Sequence, residues 1–277
     1  MSASAPAIEL HELALSFSYI DSGAPAGEEN YPTFILLHGH TFYRDVWRPM
    51  FDLAPAHRAR LIAVDRRGYG ASTPYTPDEQ QLISHGPDHA RLAFMEKEAE
   101  ALLRFVDAAI ARCALPPRVV LVAWSAAVAY SYPLLGALAR LPPASQQRVR
   151  DAVTGLVFFD PPVTAWGLSC PPMYMPITDE SIPLGRTRGD ACNRWFSIYW
   201  HHKSTDSHDP TTLCATEEEN GPIIMGKWKL EEEIQRRTGR SYAPPIEFKR
   251  LDGCNHFAVW DEPEKTMLAL IELAERK

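Results

Sequence analysis

Four short apolar runs punctuate this chain: Phe34-Ile35-Leu36-Leu37, Leu61-Ile62-Ala63-Val64, Val119-Val120-Leu121-Val122-Ala123 and Gly155-Leu156-Val157-Phe158-Phe159. None contains a polar side chain. A half-solvated strand alternates polar and apolar residues, so continuous runs of this length read as strands covered on both faces. Helix-compatible stretches lie between them, near Asp45 to Ala56, from Asp88 to Cys113 and from Ala126 to Leu141. Buried strands alternating with helices specify the α/β class, a mostly parallel sheet with helices on both faces. Open sheets of that kind gather their chemistry beyond the carboxyl ends of the strands. The residues just past the four runs are His38-Gly39-His40, Asp65, Trp124-Ser125 and Asp160, and Asn255-His256 follows a fifth, weaker strand. Candidate reactive groups therefore recur where such a sheet uses them.

The remaining elements follow from periodicity. Ala7 to Ile20 reads as two short strands, with Leu13, Leu15, Phe17 and Tyr19 alternating against smaller or polar residues. Asp88 is placed to cap the long helix to Cys113, whose apolar positions Leu92, Met95, Ala99, Leu102, Leu103, Val106 and Ile110 recur at helical spacing. Pro133 lies inside the helix from Ala126 to Leu141 and should kink it. Ile246 to Leu251 alternates as an edge-like strand, and a last amphipathic helix runs from Pro263 to Glu275. Residues 161–245 break the pattern. They hold 10 of the 24 prolines and 4 of the 7 tryptophans, without regular alternation. A long insertion between two strands is usually functional. The expected organisation is a core of residues 1–160 and 246–277 and a cap of residues 161–245.

Composition narrows the function classes. A net charge of −7 argues against a nucleic-acid binder, which presents a basic face. The five cysteines, Cys113, Cys170, Cys192, Cys214 and Cys254, are widely spaced and form no C-x-x-C, which fits reduced thiols better than a disulfide framework or a thiolate zinc site. The amino-terminal stretch lacks a basic segment followed by an apolar run, and no stretch approaches a membrane span in length. A soluble cytoplasmic protein acting on a small molecule is the expectation, with neither nucleic acid nor membrane as partner and the oligomeric state left open. His201, His202, Asp206, His208 and Asp209 cluster in the cap, but their spacing fits no standard zinc motif, and no metal is expected.

Ser125 stands at the end of the third run, with Ala123 two residues before it and Ala127 two after. A serine exposed on a sharp strand-to-helix turn needs small neighbours at those two positions, because larger side chains collide in the strained backbone. Glycine is usual there, and alanine is the next size up.

Four motifs in order give the chain a resemblance to the α/β-hydrolase superfamily. His38-Gly39 with Trp47 resembles the family's oxyanion loop. Asp65-Arg66-Arg67-Gly68-Tyr69-Gly70-Ala71-Ser72 resembles its D-x-R-G-x-G-x-S turn, and Ala123-Trp124-Ser125-Ala126-Ala127 its nucleophile elbow. Asn255-His256-Phe257, with Asp261-Glu262-Pro263-Glu264, resembles its catalytic-histidine loop and last helix. The resemblance covers nearly the whole chain except the cap. The cap and Asp160-Pro161-Pro162 also resemble uncharacterised fungal members.

The resemblance implies an α/β-hydrolase fold and a Ser-His-acid triad. A serine hydroxyl is a poor nucleophile at neutral pH and needs a base that a third group orients. Ser125 is the expected nucleophile and His256 the expected base. The acid is less obvious. Its usual place in the family, after the penultimate strand, is nearest to Pro222-Ile223-Ile224-Met225-Gly226-Lys227-Trp228-Lys229, which ends in a lysine. Asp160 follows the strand after the nucleophile strand, where certain haloalkane dehalogenases and the fungal zearalenone lactonases carry their acid; Asp252 and Asp261 are the runners-up. The backbone N–H groups of His40 and Ala126 are the expected oxyanion donors, and Trp124, Trp195 and Tyr199 the expected substrate-binding residues. The implied reaction is cofactor-free cleavage of an ester or lactone of a medium-sized apolar substrate through an acyl-enzyme. The same residues serve carbon–carbon hydrolysis and acyl transfer, and a non-hydrolytic binding or cyclisation protein on the scaffold is the rival class.

Overall fold

The computed structural model describes residues 6–162, 181–183, 185–187, 190–191, 249, 251–254 and 256–275. The chain divides into two compact units, Met1–Pro161 with Leu270–Lys277, and Pro162–Ala269. Nearly all of the expected cap, including Trp195, Tyr199, the His201–Asp209 cluster and the 222–229 segment, lies outside the described residues, as does the expected strand from Ile246 apart from Lys249 and Leu251.

In the first unit the described strands are β1 (Ala7–Leu10), β2 (Leu15–Asp21), β3 (Thr33–Leu37), β4 (Arg60–Val64), β5 (Val119–Trp124) and β6 (Val153–Phe159). They form a six-stranded sheet in the order β1-β2-β4-β3-β5-β6. β1 and β2 are an antiparallel pair, and β2 runs antiparallel to β4. The pairs β3–β4, β3–β5 and β5–β6 are parallel. Every residue of β3, β4 and β5 is buried, which is why these strands carry no alternation. Each buried Val, Leu or Ile contributes about 1.5–3 kcal/mol of transfer free energy. β6, last in the order, is half-buried apart from exposed Thr154 rather than covered on both faces as its apolar run implies.

Register makes the carboxyl ends level. Leu37 stands opposite Val64 on one side and Ala123 on the other, and Trp124 stands opposite Phe159. His38, Asp65, Ser125 and Asp160 therefore leave the sheet along one edge.

The helix expected near Asp45 to Ala56 is reduced to a 3-10 turn (Arg44–Trp47) and one helical turn (Arg48–Phe51), and the other helices depart from the sequence reading in three more places. The long helix, α1 (Asp88–Arg112), is capped by Pro87 in extended conformation, with no side-chain cap bond, and Asp88 sits in its first turn. Its buried face begins at Phe94 rather than at Leu92, which is 61% exposed. Phe105 on this helix packs its ring against Phe17 and Tyr19 of β2 at 5.6 and 5.9 Å. The third of these departures is at Pro133. Instead of one kinked helix, two short ones form, α2 (Ala127–Ser131) and α3 (Leu134–Ala137), with Pro133 as the N-cap of the second. Proline lacks the N–H that would continue the first helix, and its fixed φ suits a helix start. Then α4 (Pro143–Ala152) leads into β6. In the second unit α5 (Ala258–Asp261) follows His256 and Phe257. The helix α6 (Pro263–Glu275) keeps the bounds the sequence implies and buries Thr266, Met267, Ala269 and Leu270.

Candidate active site

Ser125 sits immediately after β5 with φ of 54°, in the left-handed region that residues with a Cβ rarely adopt. Its N–H donates to the Phe159 carbonyl oxygen at 2.9 Å, and Val128 N–H donates to the Ser125 carbonyl oxygen at 3.1 Å. The turn is thus tied to β6 on one side and to α2 on the other. Ala123 and Ala127 are both fully buried, so the small flanking residues are a packing requirement of the turn. Asp160 repeats the geometry one strand over. It follows Phe159 with φ of 43°. Since Trp124 and Phe159 are register partners, Ser125 and Asp160 leave the ends of adjacent strands, about 4.8 Å apart. Non-glycine residues held at positive φ cost about 1–3 kcal/mol each and collect at functional sites.

The loop after β3 closes on the serine. A Cβ added to Gly39 would lie 2.8 Å from Ser125 Cβ and 3.2 Å from its Oγ. Only glycine lets the loop approach this closely. Thr41, two residues on, has φ of 75°. Neither the His40 N–H nor the Ala126 N–H donates a hydrogen bond among the described residues. Two backbone donors without a partner among the described residues therefore flank the segment where Gly39 meets Ser125.

Buried polar groups hold that loop. Arg66 N–H donates to His38 Nε2 at 3.1 Å, so the ring proton is on Nδ1, 2.9 Å from the Gly39 carbonyl oxygen. Burial, then the Arg66 charge, pushes the His38 pKa down to about 3. His38 is a neutral structural residue. Arg66 Nε donates to the His38 carbonyl oxygen at 3.0 Å and Nη2 to the Gly39 carbonyl oxygen at 2.8 Å. Asp65, 0% exposed, accepts from Arg44 N–H at 3.0 Å, Arg44 Nη1 at 2.6 Å and Ser18 Oγ at 2.7 Å. These bonds anchor the loop's far end. His40 is exposed, with Nδ1 3.4 Å from Tyr69 Oη. Partial burial and then Arg66 lower its pKa.

Trp124 is 1% exposed, its ring packed against Trp47 at 6.2 Å and Phe42 at 6.3 Å. In the second unit, His256 is half-buried on the turn before α5, its ring 5.5 Å from that of Phe257. The runners-up belong to the same unit, Asp252 in a turn and Asp261 at the end of α5. Among the described residues no group of three or more His, Cys, Asp or Glu is placed to hold a metal ion, and no helix is long and apolar enough to cross a membrane.

Sequence reasoning missed what the two adjacent arginines do. Arg67, which matches the arginine of the turn motif, points to Glu79 and Glu98 at 2.8 and 2.6 Å. Arg66, at the motif's unspecified position, turns into the 38–39 loop. The motif separates the two by position, but nothing in the sequence says which partners each one takes.

Several solved structures share this architecture. A provisionally assigned aryl esterase from Burkholderia cenocepacia superposes with a TM-score of 0.58 at 14% identity, covering 98% of this chain and 97% of that one. The esterase RhEst1 from Rhodococcus sp. ECU1013 gives 0.54 at 15% identity, covering 97% of each chain. A thermophilic esterase from Thermogutta terrifontis gives 0.53 at 15% identity, covering 98% of each. At such identities the likeness is one of fold. No curated protein matches the sequence. The family model described as "Alpha/beta hydrolase family" matches residues 34–269. With that match spanning most of its length, and with the level strand ends and positive-φ serine turn described above, the chain belongs to the alpha/beta hydrolase family.

Proposed function

We propose that the protein is a serine hydrolase that cleaves an ester or lactone of a medium-sized apolar substrate through an acyl-enzyme on Ser125. The observation that carries this reading is the Ser125 turn. A serine is held at positive φ beyond a buried strand, with Gly39 against its Cβ and, beside it, two amides that donate to no described residue. A purely structural serine needs neither the strain nor the donors. Neighbours named as esterases support the same chemistry.

In this reading the Ser125 hydroxyl attacks the substrate carbonyl as His256 takes its proton. The carbonyl electron pair moves to oxygen, where the His40 and Ala126 amides receive the charge. A donor of this kind is worth about 3 kcal/mol in the transition state. The intermediate collapses as the carbon–oxygen bond to the leaving group breaks, and His256 returns the proton to the departing alkoxide. A water, deprotonated by the same histidine, then releases the acid and regenerates Ser125. Asp160 orients His256. Its acid role is inferred from its position on the strand next to the nucleophile, where the resemblance to the zearalenone lactonases would place the acid. The Pro- and Trp-rich segment 161–245 is the proposed cap over the substrate, and Trp195 and Tyr199 are its proposed lining.

Intact-mass measurement after treatment with an aryl phosphonate tests the reading. One adduct is expected on the wild type, lost in Ser125→Ala and formed far more slowly in His256→Ala. A wild type that forms no adduct and hydrolyses no member of an ester and lactone panel rejects the mechanism.

A further inference from the structure

Among the described residues Arg66 is an unusual buried cation. Arg44, Arg60 and Arg67 are largely buried and each meets a carboxylate: Asp65 at 2.6 Å, Asp21 at 2.6 Å, and the Glu79 and Glu98 pair. Arg66 is 6% exposed and meets none among the described residues. Its guanidinium donates to two backbone carbonyls, His38 and Gly39, and lies over the rings of Tyr69 and Tyr130 at 4.9 and 4.7 Å. A guanidinium buried only to brace a loop would be cheaper with a counter-ion beside it, as its three counterparts have. With none among the described residues, its positive charge stays available to whatever lies next to the loop.

What lies next to the loop is Ser125. The Gly39 carbonyl is held from one side by Arg66 Nη2 and His38 Nδ1. No peptide bond here is cis. In a planar trans peptide the carbonyl of one residue and the N–H of the next point in opposite directions. Fixing the Gly39 oxygen toward Arg66 therefore fixes the His40 N–H away from it. The Gly39 Cα, at the start of that peptide, is in contact with Ser125. A charged donor on the carbonyl also draws electron density through the amide, which makes its N–H a stronger donor.

Building on the serine-hydrolase reading, we infer that Arg66 is a positioning residue for the oxyanion site. By clamping the Gly39 carbonyl it aims and polarises the His40 N–H toward the oxygen that becomes negative as Ser125 Oγ bonds to the substrate carbon. Arg66 never touches the substrate; it acts through the Gly39–His40 peptide, and its positive charge favours the anion formed there. Burial first and the Arg66 charge second lower the pKa values of His38 and His40, the residues on either side of Gly39. Arg67, the arginine of the recognised turn motif, has no part in it.

The test compares an aryl ester with the matched thiono ester in wild type, Arg66→Gln and Arg66→Lys. Sulfur accepts hydrogen bonds poorly, so the oxo-to-thiono rate ratio reports the oxyanion donors. As a ratio within one preparation, it is insensitive to partial unfolding. In Arg66→Gln the ratio should fall by at least about tenfold and kcat for the oxo ester by about 10²-fold, the scale of losing one such donor, with KM within about threefold. Arg66→Lys keeps the charge, loses the fork, and should fall between the two. If both variants slow while the ratio stays at the wild-type value, Arg66 only supports the fold and the inference is overturned, with the hydrolase reading intact. If the wild type itself shows neither turnover nor a Ser125 phosphonate adduct, both readings fall.

Discussion

Ser125 and Asp160 carry the same backbone signature on neighbouring strands, φ of 54° and 43°. Aspartate tolerates the left-handed region better than most residues, because its short side chain can bond locally. Serine has less excuse, and the turn over-determines it through bonds to Phe159 and Val128 and contact with Gly39. If Asp160 orients the histidine, Asp160→Asn leaves the fold intact and changes only the charge behind the base. Turnover should then fall by about 10²–10⁴-fold with an unchanged circular dichroism spectrum. Near-normal turnover would reject Asp160 and direct the same substitution to Asp252 and Asp261. At this scale the sequence was legible where a residue's size was at stake. Ala123 and Ala127 announced a tight turn. Gly39 did not announce its contact with Ser125, because the two are far apart in the chain and meet only through the pairing of β3 with β5.

Elements show where local rules hold and where tertiary partners take over. The helix Pro77–His85 has a complete capping box: Thr76 Oγ1 accepts from Glu79 N–H at 3.2 Å, and Glu79 Oε2 accepts from Thr76 N–H at 2.8 Å. The same glutamate carries an ion pair to buried Arg67, and this bond holds the Glu79 pKa below the usual carboxylate range. Cap and ion pair share one side chain, so they separate by substitution. Thr76→Ala should cost about 1 kcal/mol in urea unfolding, the value of a lost cap. Glu79→Ala should cost more, since Arg67 is left with Glu98 alone; an equal cost would mean that the ion pair contributes nothing. The long helix Asp88–Arg112 taught the opposite lesson. Periodicity found it, yet Leu92 faces solvent and Phe94 and Glu98 face inward. Glu98 is buried because Arg67 waits for it, and a helix's own spacing carries no record of a partner on another element.

For the whole molecule, the buried polar groups that hold the loop set a pH dependence. His38 has a pKa of about 3 when folded, against an ordinary value near 6.5. Between those values the unfolded chain binds a proton that the folded one refuses. Stability therefore falls as pH drops through 6.5 and goes on falling until the folded pKa is reached, with a limiting slope of about 1.4 kcal/mol per pH unit. Reversible urea unfolding from pH 7 to 4 checks this. The stability of wild type relative to His38→Gln should shrink steadily on acidification, and a constant difference would show that His38 accepts its proton in the fold.

The sequence alone determined the class of the molecule. Continuous apolar runs separated by helices permit little besides a parallel sheet, and the motifs at their ends named the family, because both depend on local composition and chain order. The tertiary structure alone decided which groups face which. It levelled the strand ends through register, turned Arg66 and Arg67 in different directions, and split the helix at Pro133 into two. It also brought Gly39 against the serine. Each of these depends on contacts between distant segments, and a one-dimensional pattern has no term for them. The serine at the end of the third run is visible in the sequence; the charged clamp behind its neighbouring loop is not.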